Sequence, residues 1–202
     1  MKSLLGGASF PDWRLLYRNA GDSLAGTADV WGGFGTPPTF STDGESISVV
    51  GSNNQYAALL LFTGLRFDLL HMACDLYVTA AGAFPSTFGL GLSSTDTGVA
   101  PGDNAYLDIV FGTGGVLRGP SNVLSSAAVP EQTWFHVDIG YAGGRLNVWI
   151  DGTLFLSTAP IYSPSYITGN YNSVRIAGTA RPTKAPKIKN IKVWVSDLGG
   201  LP

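Results

Sequence analysis

An all-β fold, built as an antiparallel two-sheet sandwich, is what this sequence predicts, and three observations carry the prediction. Apolar and polar residues alternate at period two along much of the chain, while the 3.6-residue period of a surface helix is hard to find. Turn-forming runs of Gly, Asn, Asp and Pro separate these segments, with no helical stretch between them. At 202 residues the chain suits one large β-domain around a single core.

The elements follow in chain order. Met1 to Pro11 reads as an N-terminal arm that packs only where something receives it, ahead of a single domain over 12–202. From Gly21 to Pro38 the chain reads as a loop rich in Gly and Thr, with Trp31 and Phe34 as anchors. Ser46 to Val50 alternates Ile47 and Val49 with serines. Leu65 to Ala80 predicts a long strand with Asp68, Leu70, Met72, Cys74, Leu76 and Val78 on one side, Asp68 marking its open end. Phe88, Leu90 and Leu92 alternate with Gly89 and Gly91, so that strand's other side is flat or closely approached by backbone. Leu107, Ile109 and Phe111 interleave with Tyr106, Asp108 and Val110 before a glycine-rich turn at 112–115.

The clearest region runs from Trp134 to Thr158. Phe135, Val137, Ile139 and Tyr141 point one way; Trp134, His136, Asp138 and Gly140 point the other. After the turn at Ala142-Gly143-Gly144, Leu146, Val148 and Ile150 alternate with Arg145, Asn147 and Trp149. Asp151-Gly152 is a two-residue hairpin signal, because a type I′ turn needs positive φ at both central positions. Thr153 to Ser157 returns as a third strand, which completes a meander. Val174 and Ile176 mark another strand, and Ile188, Ile191, Val193 and Val195 the closing one.

Composition bounds the function. Charged residues make up 13% of the chain, about half of the roughly 25% usual in a soluble domain. The surface is therefore expected to be rich in Ser, Thr, Asn and Gly, or partly covered by neighbouring subunits. A net charge of −2 leaves no electrostatic footprint for nucleic acid. Four of the five lysines lie between Lys184 and Lys192, the expected guard of a solvated strand edge. Cys74 is the single cysteine and lies on the apolar side of its strand, as a buried structural thiol rather than a nucleophile. The start of the chain is too short in its apolar run for a secretory signal. Ala57 to Leu70, interrupted by Arg66 and Asp68, is too short to span a bilayer. The expectation is a protein made in a cytoplasm without an export address and without membrane insertion.

Trp134-Phe135-His136-Val137, followed by Arg145-Leu146-Asn147-Val148-Trp149-Ile150-Asp151-Gly152, resembles the laminin-G-like branch of the concanavalin A-like superfamily. There a W-x-H-V strand leads into an L-x-V-x-x-D-G hairpin. Val174 to Gly178 and Ile188 to Val193 resemble that group's final pair of strands. Leu16 to Gly26 is similar to the opening of jelly-roll modules frequent in tailed-phage structural proteins. The resemblance spans about Trp13 to Leu198 and implies a jelly-roll sandwich that holds ligands on loops at one end or on a concave face. It also implies membership of a superfamily of lectins, adhesion modules, glycosidases and virion proteins, so it does not carry one activity.

Catalytic patterns are missing from the sequence. A glycosidase needs two carboxylates about 5 to 10 Å apart, which the hydrolases of this superfamily place along one strand as Glu-x-Asp-x-x-Glu. The two glutamates here, Glu45 and Glu131, stand apart. Gly21-Asp22-Ser23-Leu24 spells a lipase signature, but no histidine follows His136 to activate Ser23. His71 and His136 occupy the polar phase of their strands, where cross-strand hydrogen bonding is the default role, and they assemble no zinc site. No cofactor or metal is expected; among loop oxygens the resemblance offers Asp96, Asp103 and Asn104 for calcium, with ordinary turn residues as their default reading.

Sugars need a flat aromatic for their C–H face and amides or acids for their hydroxyls. Asn53, Asn54 and Tyr56, on one loop, and Tyr162, Tyr166, Tyr171 and Asn172, on another, supply those groups. The same residues equally suit a protein–protein interface. The functional expectation is a non-catalytic virion component, a phage tail or capsid decoration protein. It would dock on other virion proteins through its arm, form a homo-oligomer and adhere to cell-surface glycans. A free carbohydrate-binding lectin domain is the alternative, and a glycoside hydrolase the third reading.

Overall fold

The computed structural model describes residues 13–24, 28–31, 39–50, 56–62, 69–78, 88–93, 106–112, 116–118, 129–142, 145–157, 173–179 and 187–196. Fourteen strands run through them: β1 (Arg14–Asn19), β2 (Ala28–Trp31), β3 (Thr39–Thr42), β4 (Ile47–Val50), β5 (Tyr56–Phe62), β6 (Leu69–Tyr77), β7 (Phe88–Ser93), β8 (Tyr106–Gly112), β9 (Val116–Arg118), β10 (Trp134–Ala142), β11 (Arg145–Ile150), β12 (Thr153–Ser157), β13 (Ser173–Thr179) and β14 (Lys187–Ser196). Every pairing among them is antiparallel. The larger sheet runs β12-β11-β10-β6-β14-β4-β3, with β1 joined to β14; the smaller runs β2-β5-β13-β7-β8-β9. The all-β antiparallel fold is as the sequence predicts.

The core lies on one face of the larger sheet, and period-two alternation puts it there. Leu70, Met72, Cys74 and Leu76 of β6 meet Phe135, Val137, Ile139 and Tyr141 of β10. Val148 and Ile150 of β11 extend this layer on one side, and Ile188, Ile191, Val193 and Val195 of β14 on the other. Burying such a side chain is worth about 1.5–3 kcal/mol. The β11–β12 hairpin turns as its sequence requires, with φ of 47° at Asp151 and 79° at Gly152. The Asp151 N–H donates to the His136 carbonyl at 2.9 Å, and its carboxylate accepts from the His136 N–H at 2.9 Å. The turn is thereby tied to β10.

Strand β14 explains an irregular spacing. Ile188 and Ile191 are three apart yet both face the core, because the register against β6 shifts between Lys189 and Lys192. Asn190 absorbs the extra residue at φ 54°, a conformation in which Asn is tolerated better than most residues. Its N–H donates to the Ala20 carbonyl at 3.1 Å. Below the bulge β14 pairs with β4, and above it with β1. Of the lysines expected to guard a sheet edge, Lys187, Lys189 and Lys192 therefore belong to an interior strand, since β14 has a neighbour on both sides; Lys184 lies outside the described residues.

Gly21 sits where β1, the β3–β4 turn and β14 converge. It holds φ 103°, and a Cβ there would lie 2.8 Å from the Glu45 carbonyl oxygen and 2.9 Å from the Lys189 Cβ. Asn19 beside it is buried and fully used. Its Oδ1 accepts from the Gly21 N–H at 2.7 Å, and its Nδ2 donates to the Ser23 carbonyl at 2.8 Å and the Tyr17 hydroxyl at 3.0 Å. The lipase-like Gly21-Asp22-Ser23-Leu24 is thus a structural turn after an antiparallel strand.

Other expectations need amendment. The stretch read as a loop from Gly21 to Pro38 contains β2, and β1, β3, β5 and β9 were not anticipated. The long strand expected over Leu65 to Ala80 is seen as Leu69–Tyr77, with 63–68 and 79–80 outside the described residues. The arm, Met1 to Pro11, also lies outside them.

Candidate functional site

The larger sheet's other face carries the groups with chemistry. Register places Trp134 of β10 opposite Tyr77, His136 opposite Asp75, Asp138 opposite Ala73, and Gly140 opposite His71. On the far side of β6, Lys189, Lys192 and Trp194 of β14 face Asp75, Ala73 and His71 in turn. Asn147 and Trp149 of β11 lie opposite Gly140 and Asp138. Four of the chain's five tryptophans come to this face, because Trp13 meets it from the chain just before β1.

A polar chain crosses the three central strands. The Asp138 carboxylate accepts from His71 Nε2 at 2.9 Å. Its other oxygen lies 3.6 Å from His136 Nε2. His136 Nδ1 donates to Asp75 at 2.7 Å, and Asp75 accepts from the Asn190 amide at 2.6 Å. A carboxylate only accepts, so these contacts fix the tautomers: His71 carries its proton on Nε2 and His136 on Nδ1.

The two ends of this chain differ in access. At one end His71 is only 5% exposed. It stacks on Trp194 at 4.9 Å and 13° and meets the edge of Trp13 at 6.4 Å. Its Nδ1 is buried without a hydrogen-bond partner among the described residues. Trp149 covers Gly140, whose missing Cβ would lie 3.4 Å from the indole. At the other end Trp134 is 37% exposed. Tyr77 lies 5.7 Å from its ring, and the Lys189 ammonium stands 4.2 Å above it. His136 and Asn190 are exposed beside it. A flat aromatic thus borders a carboxylate, an amide, an imidazole and an ammonium in a half-open setting.

Electrostatics suit holding rather than proton transfer. The hydrogen bond from His71 keeps the Asp138 carboxyl below its ordinary range, against the opposing effect of burial. A glycosidic general acid must instead hold its proton, with its pKa raised. Asp75 and Asp138 share one face, yet a single imidazole stands between them. Cys74 lies beneath, buried, and burial pushes its thiol well above the usual range. No group of three or more His, Cys, Asp or Glu able to hold a metal ion occurs among the described residues.

The sites expected from sequence fare differently. Tyr56 opens strand β5, its backbone opposite Thr179, rather than sitting on a loop. Asn53, Asn54, Tyr162, Tyr166, Tyr171 and Asn172 lie outside the described residues, as do Asp96, Asp103 and Asn104. The outer-face constellation was missed, although its signal was present. His71, Asp75 and Tyr77 share the polar phase of one strand, and Trp134, His136 and Asp138 that of another. Both histidines do make the cross-strand hydrogen bonds their phase suggested.

Comparison of the fold with solved structures gives consistent neighbours. A protein of unknown function with a galectin-like fold from Bacillus subtilis superposes with a TM-score of 0.61 at 13% identity, covering 90% of this chain and 96% of its own. Arcelin-5, a lectin-like defence protein from Phaseolus vulgaris, gives 0.62 at 11% identity, covering 92% and 99%. The carbohydrate recognition domain of Emp47p gives 0.57 at 13% identity, covering 85% and 89%. The fold is lectin-like. No family model and no curated protein matches the chain. At these identities the likeness concerns architecture alone.

Proposed function

We propose that this protein is a non-catalytic carbohydrate-binding domain, and that the open end of the outer face is where the sugar sits. One observation carries the reading: exposed Trp134 bordered by His136, Asp75, Asn190 and Lys189. An indole offers a flat apolar surface to the C–H face of a pyranose ring, while the surrounding donors and acceptors match its hydroxyls. The lectin-like architecture supports the reading, and the lowered Asp138 carboxyl does not suit the general acid of a glycosidase. A glycan array on the purified chain tests it. Binding to a defined sugar set, lost in Trp134→Ala with the melting curve little changed, is the expected result. Retention of all binding in that variant would move the site elsewhere, and a blank array would end the reading.

A particle-borne role remains part of the proposal. A face with one shallow aromatic platform binds weakly, and display of many copies on a virion would convert weak contacts into avidity. The low charge of 13% supports a surface partly covered by neighbours. Co-sedimentation of the chain with intact particles is the expected outcome; a chain that stays free and monomeric would refute this part.

A further inference from the structure

We infer that the ligand is an acidic glycan, one whose carboxylate-bearing sugars are spaced among neutral ones, read by a cationic track of Lys189, Lys192 and Arg18. This rests on the carbohydrate-binding reading of the same face. Strand β1 pairs with β14 so that Arg18 lies directly opposite Lys192. Both point outward: Tyr17 and Asn19 pack inward on either side of Arg18, and Ile191 and Val193 on either side of Lys192. Like charges placed directly opposite each other destabilise a sheet. Neither cation has an ion-pair partner among the described residues.

The other charges of β6, β10 and β14 on this face are already engaged. Lys187, lower on the same strand, is held by Asp43 at 3.0 Å. Asp75 is held by His136 and Asn190, and Asp138 by His71. Beside the polar chain stand Lys189 above the Trp134 ring, then Lys192 and Arg18 across the bulge, while Arg145 lies apart on β11. The track leads away from the aromatic platform for about 10 Å along β14, and Arg18 lies about 5 Å to its side. A carboxylate bridging Arg18 and Lys192 would relieve their repulsion, and the guanidinium fork matches its two oxygens.

The two acids on this face select against a dense polyanion. A strand of nucleic acid or a heavily sulfated chain would bring negative charge against Asp75 and Asp138, while widely spaced carboxylates can keep clear of them. The platform at Trp134 likewise calls for a hydroxyl-bearing ring between acidic units.

The test measures affinity of the full chain for hyaluronan and for a sialylated oligosaccharide, each against its carboxyl-reduced neutral derivative. The acidic forms are expected to bind about tenfold tighter, the order of two partly screened ion pairs. That preference should vanish in 0.5 M salt and in the Arg18→Gln, Lys192→Gln double variant. The double variant should still bind the neutral forms, and should melt at or above the wild-type temperature because a repulsion is gone. Trp134→Ala should lose acidic and neutral forms alike. Equal affinity for the acidic and reduced forms, or a preference that survives the double substitution, overturns the inference and leaves sugar binding intact. Single-stranded DNA or heparin binding as tightly as hyaluronan also overturns it. Failure of every sugar to bind removes the underlying reading as well.

Discussion

The two faces of the larger sheet are made by the same strands and obey different physics. On the inner face Leu70, Met72, Cys74 and Leu76 of β6 pack against Tyr141, Ile139, Val137 and Phe135 of β10. Their contribution is non-directional and scales with the apolar area withdrawn from water. One residue along in each case, His71, Ala73, Asp75 and Tyr77 face outward, and there partners decide the outcome. A 2.9 Å contact fixes His71 on Asp138, and a 2.7 Å contact fixes His136 on Asp75. The inner face tolerates changes of identity that conserve volume, while the outer face depends on a particular donor meeting a particular acceptor.

That contrast orders the substitutions that would break it. Leu76→Ala, at a fully buried inner position, is expected to cost about 3 kcal/mol in urea unfolding, from lost transfer energy and an uncollapsed cavity. Asp138→Asn should cost less, about 1.5 kcal/mol at neutral pH, the scale of a charge-assisted hydrogen bond. Its pH dependence gives a sharper check. The folded-state carboxyl is lowered from 3.8, so its stabilising contribution is fully present above that value and fades as pH falls through the lower folded-state value. Wild type and variant should therefore converge in strongly acid solution; a gap that is constant with pH would mean the loss is packing alone.

Smaller effects belong to the open end. Trp134→Ala should cost about 0.5–1 kcal/mol, the scale of the exposed cation–π contact with Lys189, while removing sugar binding. Leu154, opposite Trp149 on the outer face and 54% exposed, should tolerate alanine within about 0.5 kcal/mol. A Leu154 variant as damaging as Leu76→Ala would show that the outer face is covered by something in solution.

The legibility of these features in the sequence follows the same division. The meander β10–β12 could be read because Phe135, Val137, Ile139 and Tyr141 alternate without interruption and Asp151-Gly152 has few other uses. Strand β5 could not, because Tyr-Ala-Ala-Leu-Leu-Leu-Phe is a continuous apolar run with no period to reveal it. The apolar set of β14 was visible, but the bulge that reconciles Ile188 with Ile191 depends on a contact to Ala20, remote in sequence. The outer-face site was hidden for a related reason. Asp75 and Asp138 lie on different strands, and only the β6–β10 register brings both onto the same imidazole. A search for paired acids along one strand cannot find such a pair. The two histidines were read in the correct phase, but the burial of His71 under Trp194 and Trp13 required the tertiary structure.

Strand β14 has a further consequence, for the order in which the chain folds. On one side of it stand β6, β10, β11 and β12, all paired with one another; on the other stand β1, and β3 with β4. Within the larger sheet these groups are paired to one another through residues 187–196, the last of the described strands in chain order. During synthesis the sheet must exist as separate pieces with open edges, and such edges invite pairing with other chains. Insertion of β14 closes them in one late step of high sequence separation, which sets a slow folding rate. A pulse-labelled nascent chain should remain protease-sensitive until that strand has left the ribosome, then become resistant abruptly.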